Sequence, residues 1–282
     1  MKKSQTPLLN GAAEAKKIIR ALKHENIKTR KQICLAVVLV GNDAASKLYV
    51  SLKEKKAAEI GAVFEKFLLP AGASEKKIIA LIKKLNTDKK ITGIMLQLPL
   101  PKKFNANKII SFISPAKDAD GLRPPLLNKE RAGVRSLAMI PPTIQSILHL
   151  IKMSRQKLAD KKAVILCHST EFAEPLKFLL SKNFQLKKID VVKNPPTGYG
   201  LRVTDYDSVV IALGQKHFLK PEMIKKDAII IDVGITRQQG KTFGDVHPDC
   251  WQKSKYISPV PGGVGPLTVA YLMKNLFQLH QN

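Results

Sequence analysis

The chain alternates two kinds of apolar run. Gly11–Glu25 sets Ala12, Ala15, Ile18, Ile19 and Leu22 at about the 3.6-residue spacing of a helix. Ile33–Val40 is instead continuous and rich in branched residues until Gly41 stops it, the pattern of a strand buried on both faces. Ala45–Ile60 reads as a helix closed by Gly61, and Ala62–Leu69 as a second strand. Ser74 is placed to cap a helix running to about Leu85. Ile91–Leu96 is a third strand. It ends in Gln97-Leu98-Pro99-Leu100-Pro101, where the prolines forbid further ladder pairing. In open α/β sheets, ligands gather at such carboxyl ends.

Lys117–Pro125 reads as a loop and Thr143–Met153 as a connecting helix. A second set of strands follows at Ala163–Cys167, Ile189–Val192, Ser208–Leu213 and Ala228–Val233. A last helix spans Gly265–Leu279, after the Pro/Gly-rich stretch Pro259–Pro266. No repeat at a solenoid period and no low-complexity tract interrupts this order. The pattern predicts an α/β protein of two domains, which 282 residues accommodate.

Composition narrows the class. The longest apolar runs, Cys34–Val40 and Ala228–Ile231, fall well short of the roughly 20 residues a membrane helix needs. The N-terminus has two lysines but no apolar core of a secretory signal. Three widely spaced cysteines, Cys34, Cys167 and Cys250, predict reduced thiols in a cytoplasm and no structural zinc or disulfide framework. The net charge is +26, from 48 Lys and Arg against 22 acids. Nucleic-acid binding is one reading of it. But the lysines are spread over the chain with no basic tail, and only 6% of residues are aromatic, so stacking platforms are scarce. A plain lysine-rich surface fits better, and between the two readings stands a positive surface that attracts a polyanionic small substrate.

Four segments carry candidate chemistry. Tyr49 and Lys53 are four apart on a predicted helix, so phenol and amine share a face. A lysine in a partly dry cleft has a lowered pKa and works as a base or a water-orienting cation; the spacing alone is far more often that of a solvated helix face. Gln97 is the polar residue of an apolar strand end, and a buried amide needs partners such as a lysine amine. Lys117-Asp118-Ala119-Asp120-Gly121 sets two carboxylates beside a glycine, either to hold a polar heterocycle or as an Asx turn. No further ligand lies at metal spacing. Pro259-Val260-Pro261-Gly262-Gly263-Val264-Gly265-Pro266 lets backbone approach a flat ligand closely and leads into a helix N-terminus.

In this order the segments resemble the methylenetetrahydrofolate dehydrogenase/cyclohydrolase family over nearly the whole chain. The likeness runs from Val40-Gly41-Asn42-Asp43-Ala44-Ala45-Ser46, with Tyr49 and Lys53, through Gln97–Pro101 and Lys117–Gly121. It continues through Ile231-Asp232-Val233-Gly234-Ile235 and Gly244-Asp245-Val246 to Pro259–Thr268. The resemblance implies two α/β domains around a cleft, the second Rossmann-like and dinucleotide-binding. It divides the chain into 1–140 plus the C-terminal helix 265–282 for folate, and 141–264 for the nucleotide, as a homodimer. It implies oxidation of 5,10-methylenetetrahydrofolate with NADP, then hydrolysis of the methenyl product to 10-formyltetrahydrofolate. By matching, Lys53 assists water attack, Tyr49 positions the folate, Gln97 tunes Lys53 and Asp120 holds the pterin. Pro261, Gly262 and Gly263 line the folate pocket. Cys167, His168, Ser169, Ala212, Gly214 and Ile235 are the dinucleotide contacts.

The nucleotide half departs from the family pattern. Where the family has Gly-Arg-Ser-x-x-Val-Gly-x-Pro, this chain has Cys167-His168-Ser169-Thr170-Glu171-Phe172-Ala173-Glu174-Pro175. Both glycines and the arginine are replaced, and Glu171 and Glu174 add negative charge beside the expected pyrophosphate. Lys193-Asn194-Pro195-Pro196-Thr197 stands where members read the 2′-phosphate, and Pro141-Pro142-Thr143-Ile144-Gln145-Ser146 replaces the usual linker motif. Three readings therefore stand at this point: the bifunctional enzyme using NADP or NAD, a cyclohydrolase alone without cofactor, and a basic protein without catalysis.

Overall fold

The computed structural model describes residues 8–29, 32–123, 139–196 and 201–281; Pro124, Pro125 and Thr197 of the segments above lie outside them. The chain divides into two compact units. One comprises Ala15–Pro142 with Val269–Asn282, the other Met1–Glu14 with Thr143–Thr268. The boundary falls inside the first and last helices, α1 (Gly11–Thr29) and α8 (Val264–Gln281).

The first unit is built on three parallel strands, β1 (Cys34–Val40), β2 (Val63–Leu69) and β3 (Gly93–Leu96), in the order β2-β1-β3. Every residue of the central strand β1 is buried, as its unbroken apolar run requires. The crossovers are the helices α2 (Ala44–Glu59) and α3 (Glu75–Thr87). Asp43 caps α2 by accepting from Ser46 N at 2.7 Å, and Gly61, at φ +76°, turns the chain away at its end. Ser74 caps α3 as the sequence predicts, accepting from Lys77 N at 3.2 Å. Ile78, Ile82 and Leu85 of α3 pack into the same core as Ala36, Val38 and Ile94. Beyond β3 lies a one-turn helix, α4 (Ala106–Ile110), which the hydrophobic pattern does not reveal because a single turn offers no period to read. Gly93 opens β3 where α8 crosses it: a Cβ there would stand 2.7 Å from Leu276 Cδ1.

The second unit is a five-stranded parallel sheet. Its strands are β4 (Lys162–Cys167), β5 (Lys188–Lys193), β6 (Ser208–Ala212), β7 (Ile229–Asp232) and β10 (Tyr256–Ile257), ordered β10-β7-β6-β4-β5. The connecting helix α5 (Pro142–Met153) enters it, and α6 (Thr170–Phe184) joins β4 to β5. Pro175 sits within α6, whose N-cap is Ser169. After β7 the chain forms a small antiparallel hairpin, β8 (Thr236–Gln238) with β9 (Lys241–Phe243), then a short helix α7 (Cys250–Lys253). The hairpin and α7 are missing from the sequence-based expectations: each is three or four residues long and largely polar. From β4 the chain runs outward to β5 and then returns to the other side as β6. The carboxyl ends of β4 and β6 therefore flank the switch point of the sheet, where such folds bind ligands. Among the described residues no helix is long and apolar enough to cross a membrane.

Candidate active site and nucleotide surface

In the first unit, helix α2 and strand β3 bring Lys53 and Gln97 together. Gln97 extends the ladder beyond β3, its backbone N–H donating to Val38 O at 2.9 Å, and its side chain is 5% exposed. That burial demands a partner. Lys53 Nζ donates to Gln97 Oε1 at 2.8 Å, and Gln97 Nε2 donates to Leu98 O at 2.5 Å. The amide thus holds the amine in one place with both of its own ends occupied. Leu98–Pro99 is a cis peptide. Tyr49 lies one turn before Lys53, also half-buried.

The two carboxylates of the loop after β3 divide their roles. Asp118 is buried and accepts from Gly121 N and Arg123 N, each at 2.9 Å. It is the Asx-turn residue that shapes the loop. Gly121 has φ +60°, and a Cβ on it would lie 2.6 Å from Met139 O, so glycine is required. Asp120 is the carboxylate left to face Lys53. Burial pushes its pKa up to about 6; the charge of Lys53 opposes that rise and the charge of Asp118 adds to it. Burial lowers the pKa of Lys53, and Asp120 draws it part of the way back. The result is an amine that sheds its proton more readily than an exposed lysine, fixed by an amide and beside a carboxyl group. A lysine so placed can act as a base or orient a water. No cluster of three or more potential metal ligands occurs among the described residues.

The Pro261, Gly262 and Gly263 segment belongs to the second unit. Val260–Pro261 is cis, and Gly262 has φ +112°, open to no L side chain without strain. Gly263 N donates to Pro259 O at 2.7 Å, and a Cβ on Gly11 would stand 2.0 Å from Gly263 O. The turn is therefore backbone packed on backbone.

The other candidate contacts all lie at carboxyl ends of neighbouring strands of the second sheet. Cys167 ends β4, Ala212 ends β6 with Gly214 just beyond, and Ile235 follows β7, 38% exposed. Cys167 is buried and its thiol is pushed up by desolvation, which makes it a packing residue with little thiolate character. His168 links three strand ends. Its Nε2 lies 3.1 Å from Leu213 O and its Nδ1 2.6 Å from Asn194 Oδ1. A carbonyl only accepts, so Nε2 carries a hydrogen; in the neutral ring Nδ1 then accepts, with the Asn194 amide turned to donate. Ser169 Oγ accepts from Phe172 N at 3.2 Å and donates to Glu171 at 2.8 Å. The first-turn acid is thus tied into the cap of α6, where the helix dipole favours it.

Residues that the motif comparison singled out without a role turn out to build this surface. Asp245 is fully buried and accepts from Leu213 N (2.6 Å), Gly214 N (3.1 Å) and Gln215 N (2.6 Å). Asp232 accepts from Gly234 N, Asp245 N and Val246 N at 3.0, 3.1 and 3.0 Å. The two motifs interlock: a Cβ on Gly234 would fall 1.9 Å from Asp245 Cγ, and one on Gly244 2.0 Å from Asp232 Oδ2. Asp232 is pushed up to about 7, chiefly by burial, with the Asp245 charge adding to it. These acids fix the loop that carries Gly214. The space above Gly214 is open, with nothing within 4 Å of where its Cβ would be, and its φ is +63°. A flat or phosphorylated ligand has room there.

A dinucleotide fits this surface. The switch point is present, α6 points its N-terminus at it, and Gly214 leaves its backbone bare. Ala173 replaces a family glycine and is fully buried in α6, so its methyl group is absorbed into the core. Lys193, at the end of β5, presents a positive charge where an acid would read a free ribose hydroxyl; its Nζ donates to Thr170 Oγ1 at 3.1 Å.

Comparison with known proteins agrees with both halves. Residues 9–120 match the family model for the tetrahydrofolate dehydrogenase/cyclohydrolase catalytic domain, and residues 141–282 the model for its NAD(P)-binding domain. The bifunctional protein FolD of Methanosarcina mazei is 40% identical over 244 residues, 86% of this chain and 83% of that one. The crystal structure of the bifunctional FolD enzyme from Campylobacter jejuni superposes with a TM-score of 0.88 at 34% identity, covering 98% of each chain. That of the Trypanosoma brucei dehydrogenase-cyclohydrolase, complexed with NADP cofactor and inhibitor, gives 0.87 at 30% identity, again over 98% of each. With both domain models matched in order and close relatives aligned over most of its length, this chain belongs to the tetrahydrofolate dehydrogenase/cyclohydrolase family.

Proposed function

We propose that the protein oxidises 5,10-methylenetetrahydrofolate with NADP and hydrolyses the 5,10-methenyl product to 10-formyltetrahydrofolate. The observation that carries this reading is the Lys53 Nζ–Gln97 Oε1 contact at 2.8 Å, with Asp120 acting on the amine. NADP, when bound at the carboxyl ends of β4 and β6, supplies the hydride acceptor. His168, Ser169 and Gly214 are the residues that would hold it there, and Lys193 would meet the 2′-phosphate.

The methenyl compound is a cation, so a permanently charged ammonium beside it would oppose binding. Desolvation of Lys53 lessens that obstacle by shifting the balance toward the neutral amine. In hydrolysis the amine takes a proton as a water oxygen bonds to the methenyl carbon. That proton passes to the departing ring nitrogen as the carbon–nitrogen bond breaks, and the hydroxyl proton leaves to solvent as the formyl C=O forms, so that one water is added to the cation and one proton is released. Gln97 fixes the amine through this exchange. Asp120 accepts hydrogen bonds from the pterin N–H groups, and Tyr49 positions the ring. The high positive charge draws in folates, whose glutamate tails are polyanionic.

Lys53→Met tests the assignment. Hydrolysis of methenyltetrahydrofolate should fall by about a hundredfold to ten-thousandfold, the span typical of a lost acid–base group. Folate binding, followed by fluorescence quenching, should remain. Full hydrolytic activity in that variant would remove Lys53 from the mechanism.

A further inference from the structure

Asp120 needs a fixed place, and the most buried polar contact on its loop comes from a residue far away in sequence. Asn275, on α8, is fully buried. Its amide nitrogen donates to Ala119 O at 3.0 Å and to Ile140 O at 3.0 Å. Ala119 O belongs to the peptide that carries the backbone nitrogen of Asp120. On its other side Ala119 N donates to Ile94 O of β3 at 3.3 Å. The peptide before Asp120 is thus held between the strand that leads to Gln97 and the helix that carries Asn275. The second acceptor, Ile140, follows Met139, whose carbonyl lies against Gly121. One amide therefore joins the peptide before Asp120 to the chain at Ile140. The neighbour Leu276 seats against Gly93 and fixes the helix at this level.

We infer that Asn275 is a positioning residue for hydrolysis, setting the place of Asp120 and, through the Asp120 charge, the protonation of Lys53. The inference rests on the folate reading of Lys53 and Asp120 proposed above. The hydrogen donated to Ala119 O cannot be replaced by water in a buried site, so loss of the amide strands that carbonyl and loosens the peptide before Asp120. A displacement of Asp120 of about 1 Å would cost the chemistry as much as a hundredfold. It would also alter the field at Lys53, which simple loss of packing does not do.

The experiment compares Asn275→Leu, which keeps the volume and removes both donors, with Leu276→Ala, which removes packing on the same helix. Each is scored by the pH–rate profile of methenyltetrahydrofolate hydrolysis and by NADP titration as a check of folding. The expected result for Asn275→Leu is a fall of about tenfold to a hundredfold in kcat with a displaced pH inflection and unchanged NADP affinity. Leu276→Ala should keep the wild-type inflection. Should Asn275→Leu not fold, Asn275→Ala, which also removes both donors and adds no charge, is scored in the same way. An inflection unmoved in the Asn275 variant, or failure of both variants to fold while Leu276→Ala folds, overturns the inference and leaves Asn275 a stability residue. If Lys53→Met hydrolyses normally, the folate reading itself has failed; if Lys53→Met is inactive and the Asn275 profile is unmoved, only the positioning role has.

Discussion

Each unit of the protein sets two aspartates close enough to act on one another, and the two pairs are used differently. In the second unit Asp232 and Asp245 each accept three backbone N–H groups. Their capacity is spent on the chain itself, and they fix the Leu213–Gln215 loop. In the first unit only Asp118 is used in this way, accepting from Gly121 N and Arg123 N. Asp120, two residues on, is left with the charge of Lys53 as its main electrostatic partner. The lesson is that a raised carboxyl pKa does not by itself mark chemistry. Asp232, at about 7, is shifted further than Asp120, at about 6, yet it is structural. What distinguishes Asp120 is that it faces an amine with a lowered pKa and not a set of backbone donors.

The sharpest way to break the comparison is Asp245→Ala. It strands the buried Leu213 N–H and leaves the part-buried N–H groups of Gly214 and Gln215 without their acceptor; a buried unsatisfied donor costs about 1–3 kcal/mol. Unfolding in urea should show a loss of about 3 kcal/mol, and NADP titration should show affinity falling with it as the Gly214 loop is released. Undiminished NADP binding by a folded Asp245→Ala protein would mean that the loop does not depend on this acid.

A smaller effect is expected at Gly121. Alanine there meets both an unfavourable positive φ and Met139 O at 2.6 Å. The cost should be about 2 kcal/mol. Hydrolysis should decline more than NADP affinity, because the displaced loop carries Asp120 and not the nucleotide surface. Equal loss of both activities would contradict the division of labour drawn here.

The smallest effect is a pH dependence. The folded state raises the Asp120 pKa from 3.8 to about 6, so the native protein keeps a proton that the unfolded chain has released. The stabilisation is complete below about pH 4 and is lost as pH rises through about 6. Asp120→Asn does not titrate. Plotted against pH, the Tm of the wild type minus that of the variant should therefore fall across this window. A difference that stays level would show that Asp120 is not held out of water as the fold implies.

Much of this was legible in the sequence, for definite reasons. The fully buried strand β1 announced itself because a parallel central strand is apolar on both faces. The caps Ser74 and Asp43, and the stop at Gly61, are local chemistry written within a few residues. The matched motifs found Lys53, Gln97 and Asp120, and the structure sets Lys53 against the other two. The nucleotide loop was harder. Its lost glycines suggested a damaged site, whereas Ala173 packs without conflict and Glu171 is drawn into the α6 cap. Asp232, Asp245 and Asn275 gave no local signal of their roles, since their partners lie 13 or more residues away in every case but one.

By itself, then, the sequence determined the order of elements, the α/β class and the family, because periodicity, caps and ordered motifs act over short distances along the chain. Only the tertiary structure decided which polar groups are satisfied by backbone donors and which face another charged side chain. Asp118 and Asp120 are indistinguishable in composition and neighbourhood. Folding places one on backbone donors and leaves the other beside Lys53, and burial then sets the protonation of both partners, because desolvation depends on everything that surrounds a charge and not on the residues next to it.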